Sequence, residues 1–173
     1  MQKFKVYFWN RIPKSYFKEI KEKYKNRKND YMNVYVCEDR EEMYNLTDKL
    51  ENSKVERNYA GRTWCYNKNW YEEENGERKY IKTSPLCGHI VFCKEYFYQD
   101  AVAHESTHAV IGYFNRKLKD CQNIFTKVDE YGNILDEEVA PEEDLEELFC
   151  YMVGNLSDQI CCKYRESTEK GVK

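Results

Sequence analysis

Between Gly88 and Tyr113 the hydrophobic periodicity changes once, and that change restricts the fold more than any other feature of the chain. GHIVFC (Gly88–Cys93) is an unbroken apolar run of strand length, whereas YQDAVAHESTHAVIGYFNRKL, from about Tyr96, spaces its apolar residues as a helix does. A strand feeding directly into a helix predicts an α+β unit in which a sheet packs on that helix.

The rest of the chain extends this pattern. KFKVYFW (Lys3–Trp9) alternates as a strand, and NVYVCE reads as a second one. Between them, SYFKEIKEKYKNRK sets Tyr16, Phe17, Ile20 and Tyr24 at helical spacing against a lysine-rich face, which is read as a solvated surface. Asp39 and Glu42 have the spacing of a capping box, so a helix through about Leu50 is expected, with Met43, Leu46 and Leu50 inward. In RTWCYNKNWYEEENGERKYIK, aromatic alternation flanks Asn-Gly, the strongest short hairpin signal. The acidic stretch from Asp120 to Ala140 reads as turn-rich, with EYGN a turn. Pro141 suits a first helical position, and the helix it opens, PEEDLEELFCYMVGNLSDQICCKY, is apolar on nearly every side and is expected to be buried between layers.

With 173 residues, the chain is long enough for one domain, expected over 1–165, with 166–173 a polar tail that frays. The formal net charge of −3 does not favour nucleic acid as a partner. No apolar run reaches the roughly 18–20 residues of a membrane span, and the start lacks a signal-peptide pattern, so a cytoplasmic location is expected. Eight cysteines without a C-x-x-C pair, several in apolar runs such as HIVFC and LFCYM, read as buried thiols rather than disulfides or a cysteine zinc knuckle.

Two of the three histidines, His104 and His108, fall four apart on the expected helix, so both imidazoles can face one cation. Glu105, one residue along, is placed to take a proton from a metal-bound water without being a ligand. Two imidazoles do not complete a catalytic zinc site, which takes three protein ligands and an open fourth position. The metzincin pattern would need glycine at 111 and histidine at 114, and the chain has Ile111 and Phe114. His89 allows a three-histidine arrangement, although a lone strand histidine is more often a packing residue. Glu146 and Glu147, in an otherwise apolar helix, are the better candidates, since a buried carboxylate there needs an ion or a partner. Glu147 shares a helical face with Tyr151, Gly154 and Asp158, where Gly154 would permit a close approach of backbones, so Glu147 is preferred. Tyr151 is a candidate donor to an oxyanion, and Asp158 a candidate holder of a histidine's second nitrogen; with 16 tyrosines, packing competes as the role of Tyr151.

VAHESTHAVIGYF followed by EELFCYMVGNLSDQI resembles the compact zinc-metallopeptidase-like proteins of bacteriophages and prophages, a gluzincin-type group, over about Gly88 to Ile160. It departs from the thermolysin-like pattern in lacking N-E-x-x-S-D and in having a longer insert. The resemblance implies a zincin-like fold, Zn²⁺ held by His104, His108 and Glu147, Glu105 as general base, and hydrolysis of a protein or peptide substrate in a bacterial host's cytoplasm. The expected architecture is a small, mostly antiparallel sheet packed against the H-E-x-x-H helix, a buried C-terminal helix and two N-terminal helices. GHIVFC is expected at the sheet edge, pairing with an extended substrate. The competing reading is a zinc-binding regulatory or interaction protein without turnover, its site closed by a fourth ligand such as His89 or a cysteine. Nothing in the sequence marks an oligomeric state.

Overall fold

The computed structural model describes residues 1–13, 17–65, 71–74, 77–80, 85–117 and 143–170. In chain order these form β1 (Gln2–Tyr7), α1 (Lys18–Lys23), β2 (Tyr31–Cys37), α2 (Arg40–Glu51), β3 (Gly61–Cys65), β4 (Tyr71–Glu74), β5 (Glu77–Tyr80), β6 (Leu86–Cys93), α3 (Gln99–Lys117) and α4 (Glu143–Lys170). The architecture is α+β, built on a four-stranded sheet ordered β1-β2-β6-β3.

The sheet is mixed rather than mostly antiparallel. Its outer strands β1 and β3 run antiparallel to their neighbours, but the central pair β2 and β6 is parallel. A parallel neighbour needs a crossover, and α2, β3 and the β4–β5 hairpin all lie in the chain between β2 and β6. Nearly every residue of the two central strands is buried, as expected of strands covered on both faces. Val34, Val36, Ile90 and Phe92 join the core built with α3 and α4. Tyr35, Cys37, Val91 and Cys93 pack with Met43 and Tyr44 of α2. Because side chains alternate along a strand, α2 and the α3–α4 pair cover opposite faces of the sheet.

Local chemistry sets several boundaries. Asp39 caps α2 by accepting from the Glu42 N–H at 2.8 Å, and the Glu42 carboxylate accepts from the Glu38 N–H rather than from Asp39 itself. Asn52 ends that helix in the left-handed conformation. Gly88 is required where β3 crosses β6, since a Cβ there would lie 2.0 Å from the Trp64 carbonyl oxygen. The predicted hairpin forms with Tyr71 opposite Tyr80 and Glu74 opposite Glu77, as a separate two-stranded sheet; its Asn75-Gly76 turn lies outside the described residues. The EYGN turn and Pro141 also lie outside them.

Two expectations about α4 need correction. The helix runs on to Lys170, so the polar tail is helical from Glu166 to Lys170 instead of frayed. It is also one-sided: Leu148, Met152, Leu156, Gln159 and Ile160 are buried, whereas Glu147, Cys150, Tyr151, Gly154 and Asp158 face outward. Among the described residues, a Cβ added at Gly154 meets nothing within 4 Å, so no described helix approaches there. Cys150 and Tyr151 count as apolar in the helical pattern, yet both lie on the exposed side. The seven described cysteines form no disulfide with one another; Cys37, Cys65, Cys87 and Cys93 are buried as expected and Cys150 is exposed.

Buried polar contacts tie the helices to the sheet. Tyr113 of α3 stacks on Phe8 at 3.9 Å, accepts from the Trp9 indole at 2.8 Å and donates to Asp30 at 3.1 Å. Burial and the Asp30 charge push the Tyr113 phenol well above its usual range, so it keeps the proton it donates. Gln159 of α4 grips the end of β1: its carbonyl accepts from the Tyr7 N–H at 3.0 Å and its amide donates to the Tyr7 carbonyl at 2.9 Å. No described helix is long and apolar enough to cross a membrane.

Candidate functional site

Helix α3 is apolar on the side that meets the sheet, burying Val102, Ala109, Val110, Tyr113 and Phe114. His104 and His108 lie on its exposed side one turn apart. Their Nε2 atoms converge to 3.1 Å, with the rings at 80° to each other. A tetrahedral zinc ion with bonds of roughly 2.0–2.1 Å would hold two imidazole nitrogens roughly 3.3 Å apart, so the pair has nearly the spacing such an ion demands.

Glu105 belongs to the same turn and points toward β3. It is only 6% exposed. The Thr63 hydroxyl lies 2.6 Å from its Oε2 and 2.9 Å from its backbone carbonyl. Gly61 passes on the other side, where a Cβ would be 3.1 Å from both Cγ and Oε1. A cavity of about 600 Å³ opens between strand and helix, lined by Gly61, Thr63, Trp64 and Cys65 from β3 and by His104, Glu105 and His108 from α3. Arg62, also at its rim, is held in a bidentate ion pair with Glu51 of α2.

The strand beside the cavity is β3 rather than the expected GHIVFC. That segment is β6, which is paired on both sides, by β2 and by β3, so β3 is the edge of the four-stranded sheet next to the histidines. The apolar run marks GHIVFC as a strand but carries no information on strand order. Thr63 and Gly61 went unnoticed in the sequence for the same reason: nothing in RTWC links it to a helix some forty residues on until the sheet brings them together.

Three of the remaining candidates lie elsewhere, and the side chain of Glu146 lies outside what is described. Glu147, Tyr151 and Asp158 line a different cavity of about 500 Å³ with Arg11, Cys150, Gly154 and Asn155, and it shares no lining residue with the histidine cavity. Tyr151 is 43% exposed and meets Phe17 edge to face. Asp158 receives the Arg11 guanidinium at 2.6 Å and so serves an ion pair instead of a histidine. Among the described residues, no three His, Cys, Asp or Glu side chains are grouped to hold an ion.

His89 sits on β6 among the residues facing α2, the opposite side of the sheet from Thr63 and α3. Its ring stacks with Trp64 at 6.0 Å and tilts against Tyr35 at 5.7 Å. It is 5% exposed, and burial, aided by the Lys3 charge, pushes its pKa down to about 4. An unfolded chain takes up this proton near pH 6.5, while the folded protein refuses it until about pH 4, so stability is complete above 6.5 and falls as pH drops through that window. The loss amounts to about 3 kcal/mol at most. Urea midpoints at pH 7 and pH 4.5 should therefore separate more in the parent than in His89→Phe; equal separations would exclude His89 as the source.

Comparison of the chain with family models, curated proteins and solved structures finds no match.

Proposed function

We propose that the chain is a zinc-dependent peptidase in which His104 and His108 are metal ligands and Glu105 is the general base. The observation that carries this reading is the convergence of the two Nε2 atoms at 3.1 Å beside a buried, hydrogen-bonded carboxylate at the mouth of a cavity. A zinc ion held by that pair would supply Lewis acidity and a bound water with a pKa lowered toward about 7. Glu105 accepts the proton of the attacking water and returns it to the leaving amine. The substrate is a protein or peptide, and the proposed setting is a bacterial host's cytoplasm. Glu147 as third ligand, and Tyr151 as a donor to the oxyanion, rest on the sequence resemblance and on their positions in α4; the cavity does not join them to the histidines.

A second reading is favoured by one observation. Cys65 lines the same cavity as the histidines. A thiolate drawn in as a fourth protein ligand, beside the two imidazoles and Glu147, would close the site and make the chain a zinc-binding regulatory or interaction protein without turnover.

Zinc per chain, measured by elemental analysis after purification without added metal, tests the proposal directly. The parent is expected to carry about one zinc, and His104→Ala and His108→Ala to lose it. Loss in Glu147→Ala but not in Glu146→Ala would make Glu147 the third ligand, and loss in both Glu147→Ala and Cys65→Ser would favour the closed site. A parent that neither carries nor takes up zinc overturns both readings.

A further inference from the structure

We infer that β3 is a cradle for the Glu105 carboxylate, with Thr63 and Gly61 acting as positioning residues that fix one of its oxygens and leave the other to work. This rests on the reading of Glu105 as general base. The two carboxylate oxygens are treated differently. Oε2 receives the Thr63 hydroxyl at 2.6 Å, a short bond to a charged acceptor and stronger than the alternative bond to the Glu105 carbonyl at 2.9 Å. Oε1 lies over Gly61, where any Cβ would approach to 3.1 Å, and a side chain there would crowd the oxygen and the Cγ beneath it. Phe92 lies 3.2 Å from the same Cβ position, so a side chain at 61 would be crowded by its ring as well as by Glu105.

Both residues belong to a strand fixed in register, Gly61 opposite Phe92 and Thr63 opposite Ile90. Residues two apart on a strand point to one face, so the two contacts reach Glu105 together. The carboxylate is thus aimed by a rigid sheet edge instead of by its own flexible side chain, which removes rotamer freedom that would otherwise be lost at each turnover.

Cobalt(II) and acetohydroxamate provide a test that needs no substrate. Co²⁺ bound by imidazoles has a visible spectrum, and acetohydroxamate chelates a metal through both oxygens while presenting a proton to a nearby carboxylate. The parent is expected to bind Co²⁺ and then acetohydroxamate. Thr63→Val should bind Co²⁺ within about twofold of the parent but acetohydroxamate about tenfold more weakly, and Thr63→Ser should restore most of that affinity. Gly61→Ala should show a similar weakening with Co²⁺ retained. Unchanged acetohydroxamate affinity in Thr63→Val, or a loss that Thr63→Ser does not repair, would overturn the cradle. Glu105→Gln is the reference: if it too binds acetohydroxamate as the parent does, the general-base reading fails, and a parent that binds no Co²⁺ removes the metal site and the cradle with it.

Discussion

Glu105→Gln is expected to keep the parent's zinc content and lower peptide hydrolysis by about 10²–10⁴-fold, the range that a positioned general base contributes. The substitution nearly preserves shape. A glutamine at 105 can still accept from Thr63 through its amide oxygen and lies under the same Gly61 wall, so the cavity should persist. What it cannot do is accept a proton from water at neutral pH. Turnover of a quenched fluorescent peptide mixture, measured beside elemental zinc, separates the two effects. Cleavage at the parent's rate with zinc retained would sink the proposed mechanism, and a parent with zinc but no turnover against any peptide would support the non-catalytic reading.

Gln159→Leu is expected to be the most damaging single change to stability away from the cavity. Gln159 is buried, and its side-chain amide meets both the N–H and the C=O of Tyr7. Leucine fills similar space but leaves the Tyr7 N–H without that acceptor; the carbonyl keeps the Asn155 amide at 3.2 Å. Orphaning one buried donor and deleting a second bond should cost about 2–4 kcal/mol. For a chain of this length that is a drop in Tm of roughly 5–15 °C. A shift of a degree or less would mean that water reaches the end of β1 and that α4 is not clamped to the sheet there. Glu105 should be unaffected at temperatures where the variant is folded, so zinc content distinguishes a loosened fold from a damaged site.

Much of the local structure was legible because it depends on near neighbours. The Asp39 cap, the pairing of β4 with β5 and the placing of His104, Glu105 and His108 on one helical turn all follow from spacings of a few residues. Errors arose where a distant partner decides. GHIVFC and NVYVCE read as strands, yet an apolar run says nothing about which strand lies beside it, and pairing on both sides, with β2 and with β3, put GHIVFC inside the sheet instead of at its edge. The same limit governs α4. Cys150 and Tyr151 count as apolar in a helical pattern, but only the packing of Leu148, Met152, Leu156 and Ile160 determines which side faces the core.

The sequence by itself determined the class of fold and the chemistry available at one helical turn, because hydrophobic period and i, i+4 geometry are properties of the local backbone. Tertiary structure alone decided which residues share a cavity. It set Thr63 against Glu105 across 42 positions, separated His89 from the histidine pair by the thickness of a sheet, and gave Asp158 to Arg11. The physical reason is that hydrogen bonds and ion pairs between distant segments depend on strand order and on which face of each helix is buried. Those are settled by the burial of the whole chain rather than by any stretch of it.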